Sequence, residues 1–176
     1  MDQAEQLRNI IKAGNVKRSR PLARVITVTS GKGGVGKSNI AVNLAVQFQR
    51  MGLKTIIFDA DIGLANVEVM FGTIPQYSLN DLIYHDKEIE DIITDGPEGV
   101  GFISGGSGIM GLSNLTLDQI SYLVKSVEKL SVIADIVIVD TGAGISDSVM
   151  EFVASSPEIL LVTTPEPSSL TDAYSL

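Results

Sequence analysis

The chain has 176 residues, no cysteine and a formal net charge of −8. That length suits one domain with a sizeable core, and the missing thiols exclude disulfides and cysteine-ligated metal centres. No apolar run reaches the ~18 residues of a membrane span, and the polar start, with Asp2 and Glu5, is not a secretory signal.

The sequence thus reads as that of a soluble cytoplasmic protein. Its charge is uneven: residues 1–54 hold ten Lys/Arg against two Asp/Glu, and residues 55–176 hold three against nineteen. Six of the bases lie between Arg8 and Arg24. Such an arm is either a solvated linker or a contact for an anionic surface or nucleic acid. The acidic body argues against extended binding to a phosphate backbone and leaves only a local patch for it, so nucleic acid is not the expected partner.

Residues 2–13 are predicted to be helical. Asp2 and Glu5 form a capping-box pattern, and Ala4, Leu7, Ile10 and Ile11 make one apolar stripe. A helix this short is marginal alone in water, so it is expected to dock on its own body or on a partner. Residues 1–14 form this helical unit, 15–23 read as a linker with Pro21, and 24–176 read as the globular domain.

From there the pattern alternates. A strand at 25–28 leads into a glycine-rich loop and a helix at about 37–51, which Gly52 ends. A second strand, 55–58, stops at Asp59. Residues 62–99 are mixed, with short helices expected near 66–71 and 79–84. A third strand is predicted at 99–104, followed by the loop Gly-Gly-Ser-Gly and an amphipathic helix at 116–130. The β-branched run 136–139 is a strand ending at Asp140. A helix at 146–155, a strand at 158–163 and a helix opening at Ser168 complete the series. The final Ser-Ser-Leu-Thr-Asp-Ala-Tyr-Ser-Leu reads as the first turns of that helix, so the chain is expected to continue beyond Leu176.

Continuous apolar strands alternating with helices predict a three-layer α/β fold, a mostly parallel sheet with helices on both faces. Ligands in such folds sit at the carboxyl ends of the strands. The polar signals fall there: Gly31 to Ser38, Asp59 with Asp61, and Asp140 to Gly144.

The loop satisfies two glycine patterns. Gly31-x-Gly33-x-x-Gly36 fits a dinucleotide fingerprint, with Asp59 placed where a ribose-binding acid belongs. Gly31-x4-Gly36-Lys37-Ser38 fits a phosphate-binding loop, whose lysine reaches the outer phosphates and whose hydroxyl binds Mg2+. A dinucleotide site has no use for a lysine and a serine opening the helix. Asp140, at the end of an apolar strand, supplies the separate acid that a Mg2+ site needs. The nucleoside triphosphatase reading is therefore preferred. His85 is the sole histidine and reads as a surface residue.

Written out as Gly-Lys-Gly-Gly-Val-Gly-Lys-Ser, the loop resembles that of the deviant Walker A ATPases, the group of MinD, ParA and the nitrogenase iron protein. The stretches SGKGGVGKS, IIFDADIGLANVEVMFG and IVIVDTGAGIS carry the match over the globular part. Within that group, DTGAGIS and the early DQAEQLR resemble FlhG-type regulators of flagellar number and placement, also called YlxH or FleN. The iron protein's cluster cysteines are missing here.

The resemblance implies a MinD-like P-loop fold and an ATPase that dimerises with ATP and Mg2+. Lys32 would be the signature lysine that reaches the nucleotide of the other subunit. Lys37 would contact the outer phosphates, and Asp61 would position the attacking water. Lys32, Lys37 and Asp61 are thus the implied catalytic set. Gly31, Gly33, Gly34, Val35, Gly36, Ser38 and Asn39 would complete the phosphate cradle, and the backbone at Thr141 and Gly142 would sense the γ-phosphate. Ser38 and Asp140 would hold the metal, with Asp59 supporting the metal or the loop. Asp2, Gln3, Ala4, Leu7 and Arg8 would engage an FlhF-type GTPase, with Gln3 near the partner's nucleotide. A membrane-targeting helix and the residues that hold the adenine would both lie beyond Leu176, the former making the whole protein peripherally membrane-associated.

Overall fold

A computed structural model describes residues 22–64, 66–106 and 115–176. The expected helix at 2–13 and most of the linker lie outside these residues. The chain runs β1 (Arg24–Ser30), α1 (Lys37–Arg50), β2 (Thr55–Ala60), α2 (Asn66–Phe71), α3 (Leu79–Tyr84), β3 (Thr94–Asp95) and β4 (Gly101–Ile103), then α4 (Leu117–Ile133), β5 (Ile136–Ala143), α5 (Asp147–Ser155), β6 (Glu158–Leu161) and α6 (Pro167–Tyr174). Two 3₁₀ turns, Ile89–Ile92 and Pro97–Gly99, flank β3.

The sheet order is β3-β4-β2-β5-β1-β6. All pairings are parallel except β3 with β4 at one edge. The buried runs explain this. Ile56, Phe58, Val137 and Val139 feed one core cluster, and Ile57, Val28, Ile136 and Ile138 feed another. Alternate residues thus bury on opposite faces, which only a sheet covered on both sides permits. The first cluster packs under α3, α4 and α5, through Leu82, Leu123, Leu130 and Phe152. The second packs under α1 and α2, through Ala41, Ala45 and Val67.

Local chemistry sets the helix starts. Ser78 with Asp81 and Thr116 with Gln119 form capping boxes at α3 and α4. α4 runs three residues past its expected end, because Leu130 and Ile133 still pack on the core. The strand predicted at 99–104 is shorter than expected. Pro97–Gly99 forms a tight turn, with Glu98 at φ 59°, and pairing begins only at Gly101. The antiparallel edge strand β3 is two residues long and went unpredicted. β6 stops at Leu161, two residues before its predicted end.

Position follows from register. Asp59 and Asp140 are direct neighbours on β2 and β5, and Val28 flanks Asp140 from β1. The central strands therefore deliver both acids to the point where β1 opens into the glycine loop.

Candidate functional site

The loop after β1 closes on α1. Gly36 caps the helix at φ 93° and Gly34 sits at φ 78°, backbone conformations that a Cβ disfavours. The cap makes no side-chain hydrogen bond, and the first turn of α1 holds no acid. The helix start thus presents free N–H donors and the positive end of its dipole, a ready anion site. A cleft of 390 Å3 opens there, lined by Gly33, Gly34, Gly36, Lys37, Ser38 and Asp61 among others. Asn39 also lines it, while Val35 packs its side chain on the core.

Gly31 has a different reason to be glycine. A Cβ there would stand 2.2 Å from the carbonyl carbon of Asp172, in the backbone of α6. The first loop glycine is therefore demanded by a helix packed against it.

Lys37 is buried and donates to Asp140 at 2.7 Å. Its Nζ also lies 3.4 Å from the Ser38 hydroxyl. The second Asp140 oxygen, Oδ2, is buried and makes no hydrogen bond. An unsatisfied buried carboxylate oxygen is costly, and a cation offsets that cost. With the Ser38 hydroxyl nearby, these oxygens fit Mg2+ held largely by phosphate oxygens and water, while the Lys37 ammonium would face the phosphates. Among the described residues, no group of three or more His, Cys, Asp or Glu side chains is placed to hold a metal ion by itself.

Asp59 is placed differently. Both its oxygens are already engaged, by the backbone N–H of Asp61 at 3.1 Å and of Val67 at 3.2 Å. These bonds tie Asp59 to the loop after β2 and to α2. Burial pushes its carboxyl up to about 7, against the lowering pull of the Val67 N–H, with Asp140 adding to the rise.

Asp61 faces the cleft. Partial burial raises its pKa, Lys37 opposes the rise, Asp140 adds to it, and Asn66 opposes it through a hydrogen bond. That bond, Asn66 Nδ2 to Asp61 Oδ2, spans 2.8 Å. Asp61 also approaches Gly142 so closely that a Cβ there would lie 3.3 Å from Oδ1. Asn66 was not singled out from the sequence, because a polar residue opening a short helix looks like surface. Glu68, which accepts from Ser104 at 2.7 Å and ties α2 to the end of β4, was missed for the same reason. Thr141 is fully buried and turns its side chain into the sheet, where its hydroxyl reaches Thr29 Oγ1 at 3.1 Å.

Lys32 stands outside the cradle. Its Nζ donates to Glu166 at 2.9 Å and to Ser168 at 3.1 Å, both at the start of α6. Glu166 raises its pKa through that hydrogen bond and its charge. His85 caps α3 on the surface beside Asp81, away from these groups. Asp2, Gln3, Ala4, Leu7 and Arg8 lie outside the described residues.

Comparison with known proteins agrees with this arrangement. Antiactivator FleN of Pseudomonas aeruginosa is 44% identical over 153 residues, which is 87% of this chain and 55% of that protein. Flagellum site-determining protein YlxH of Helicobacter pylori is 38% identical over 177 residues, 98% of this chain and 60% of that protein. The cell division ATPase MinD of Pyrococcus furiosus matches with a TM-score of 0.79 at 29% identity, covering 88% of this chain and 65% of that one. The septum site-determining protein MinD of Pyrococcus horikoshii, complexed with Mg-ADP, matches with a TM-score of 0.77 at 31% identity, covering 86% and 62%. The chain thus spans 55 to 65% of the length of these relatives. The ParA family model, described as NUBPL iron-transfer P-loop NTPase, matches residues 21–175, and the chain belongs to this family of P-loop NTPases.

Proposed function

We propose that this chain is the nucleotide-binding part of an ATP-dependent dimerising switch. It hydrolyses ATP to ADP and phosphate and, in the whole protein, regulates flagellar number or placement. One observation carries the reading: the buried Lys37–Asp140 pair beneath an uncapped helix start, with Asp140 Oδ2 left unbonded.

The backbone N–H groups from Gly33 to Ser38 hold the phosphates, and Lys37 neutralises the outer ones. Ser38 and Asp140 hold Mg2+, which supplies charge neutralisation when bound. Asp61 orients the attacking water and is itself held by Asn66. Phosphoryl transfer to water needs positioning and charge more than covalent chemistry, and no histidine is required. The backbone at Thr141 and Gly142, the latter beside Asp61, reports the terminal phosphate.

Lys32 serves the neighbouring subunit. Its contacts to Glu166 and Ser168 are exposed, and such pairs are weak and screened by salt. A phosphate across a dimer interface is a stronger anion and displaces them. ATP then couples to association, because the site is complete only in the pair. Leu64 and Val69, exposed at the cleft, offer apolar contact for that partner.

The similarity to FleN and YlxH supports the flagellar role. The YlxH match spans 98% of the chain, and this reading assigns residues 2–13 to an FlhF-type GTPase. Membrane association, in this reading, comes from a helix beyond Leu176. The MinD likeness favours a second reading, a positioning ATPase for the division site, a chromosome or a chemosensory array.

Light scattering of the whole protein with ATP and with ADP tests the switch. Dimers form with ATP only, and Lys32→Ala abolishes them while nucleotide still binds. Unchanged dimers in that variant reject the role of Lys32. Stimulation of the partner GTPase by a peptide of residues 1–20 separates the flagellar reading from the second one.

A further inference from the structure

A groove of 490 Å3 lies between α4 and α5, beside the start of β1. Val25, Val124, Val127 and Phe152 give it an apolar floor, and Glu128, Glu151 and Lys125 stand along it. It is separate from the phosphate cleft, which opens at the other end of β1.

We propose that residues 2–13 of this same chain dock in the groove as an amphipathic helix. The tether argues for this occupant. Leu22 lines the groove and is 72% exposed, so the segment before it leaves from the groove's own wall. Residues 14–21 reach at most about 26–29 Å when extended, enough to fold the preceding helix back and too little to carry it far. Any chain beyond Leu176 would instead leave from α6, which packs on Gly31 at the far end of β1.

Chemistry argues for it as well. Ala4, Leu7, Ile10 and Ile11 match an apolar floor in need of cover. Arg8 and Lys12, four residues apart, flank that stripe on one side. Glu128 and Glu151 have no ion-pair or hydrogen-bond partner for their carboxylates among the described residues. The basic segment thus brings its charge to unpaired acids. This inference stands without the proposed function. Where residues 2–13 also act on a partner GTPase, the groove and that partner compete for one helix, and the groove regulates its supply.

The 176 residues hold no cysteine that would compete. In the whole protein, with any cysteine beyond residue 176 replaced by serine, Ile10→Cys is combined with Ser121→Cys at the groove. The control combines it with Ile74→Cys, exposed beside α2 on the opposite sheet face. Docking gives an intrachain disulfide on mild oxidation in the first pair, at least about tenfold faster than in the control, since a docked tether raises the local concentration. In parallel, the charge reversals Glu128→Lys and Glu151→Lys lie outside the core. They should speed tryptic cleavage after Arg8 and Lys12 at least about fivefold, as cleavage follows the released population, with the thermal midpoint unchanged. Equal oxidation of both pairs overturns the proposal, as does a disulfide formed only between two chains, which would make a second copy the occupant. Cleavage that ignores the charge reversals overturns it too.

Discussion

Lys37 Nζ lies 2.7 Å from Asp140 Oδ1, the lysine 7% exposed and the aspartate not at all. Two charges so enclosed depend on each other. Removing one strands the other, at a cost of about 3–5 kcal/mol, whereas replacing both by apolar groups is often close to neutral. Lys37→Met should therefore destabilise the ligand-free protein by that amount, and Lys37→Met with Asp140→Leu should recover most of it. Urea unfolding of the two variants measures this. A single substitution without effect would show that water reaches the pair.

Asp59 should leave a mark on the pH dependence of stability. Its carboxyl titrates at about 7 in the folded chain against 3.8 unexposed to burial, chiefly because burial disfavours the charged form. The folded state thus holds the proton more tightly. Its contribution is full below the unfolded value, is lost as pH rises towards 7, and is flat above. The slope approaches about 1.4 kcal/mol per pH unit within that window. Asp59→Asn should flatten it, whatever it does to stability overall, and thermal melts of the ligand-free protein from pH 4.5 to 8 record the slopes.

Asn66 holds Asp61 from one side. Asn66→Ala should lower kcat by about 10- to 100-fold, the scale of a small misplacement of a positioning group. Nucleotide affinity should change little, because Asn66 donates to the acid and not to the phosphate loop. Steady-state ATP hydrolysis combined with equilibrium nucleotide titration checks the split. Loss of both together would assign Asn66 to binding instead.

Two loop glycines should behave in opposite ways. At Gly31 an added methyl meets the Asp172 backbone, and backbone cannot step aside cheaply. Gly31→Ala should cost about 1–3 kcal/mol of stability, the scale of overpacking. Around Gly33 no atom lies within 4 Å of the added methyl. Gly33→Ala should stay within about 0.5 kcal/mol and lose phosphate affinity, since it faces the cleft. Calorimetric melts and nucleotide titrations of both variants make the comparison.

Much of this molecule was legible before folding. The runs 25–28, 55–58 and 136–139 are apolar without alternation, which is how strands buried on both faces read. The short helices at 66–71 and 79–84 fall where expected. The edge was harder. β3 is two residues of Thr-Asp, too short to show a period, and it exists because β4 offers an open edge. Both 3₁₀ turns escaped notice for the same reason of length.

The amino-acid order alone determined the phosphate loop, its lysine and serine, and the acids at the tips of β2 and β5. Those features are local, since each is set by a strand's end and the turn that follows it. Tertiary structure decided the rest. Lys32 meets Glu166 across 134 residues of sequence, Gly31 makes room for α6, and Lys37 meets Asp140 across 103. Such contacts are made when parallel crossovers bring remote segments to one end of the sheet, and no spacing along the chain encodes them.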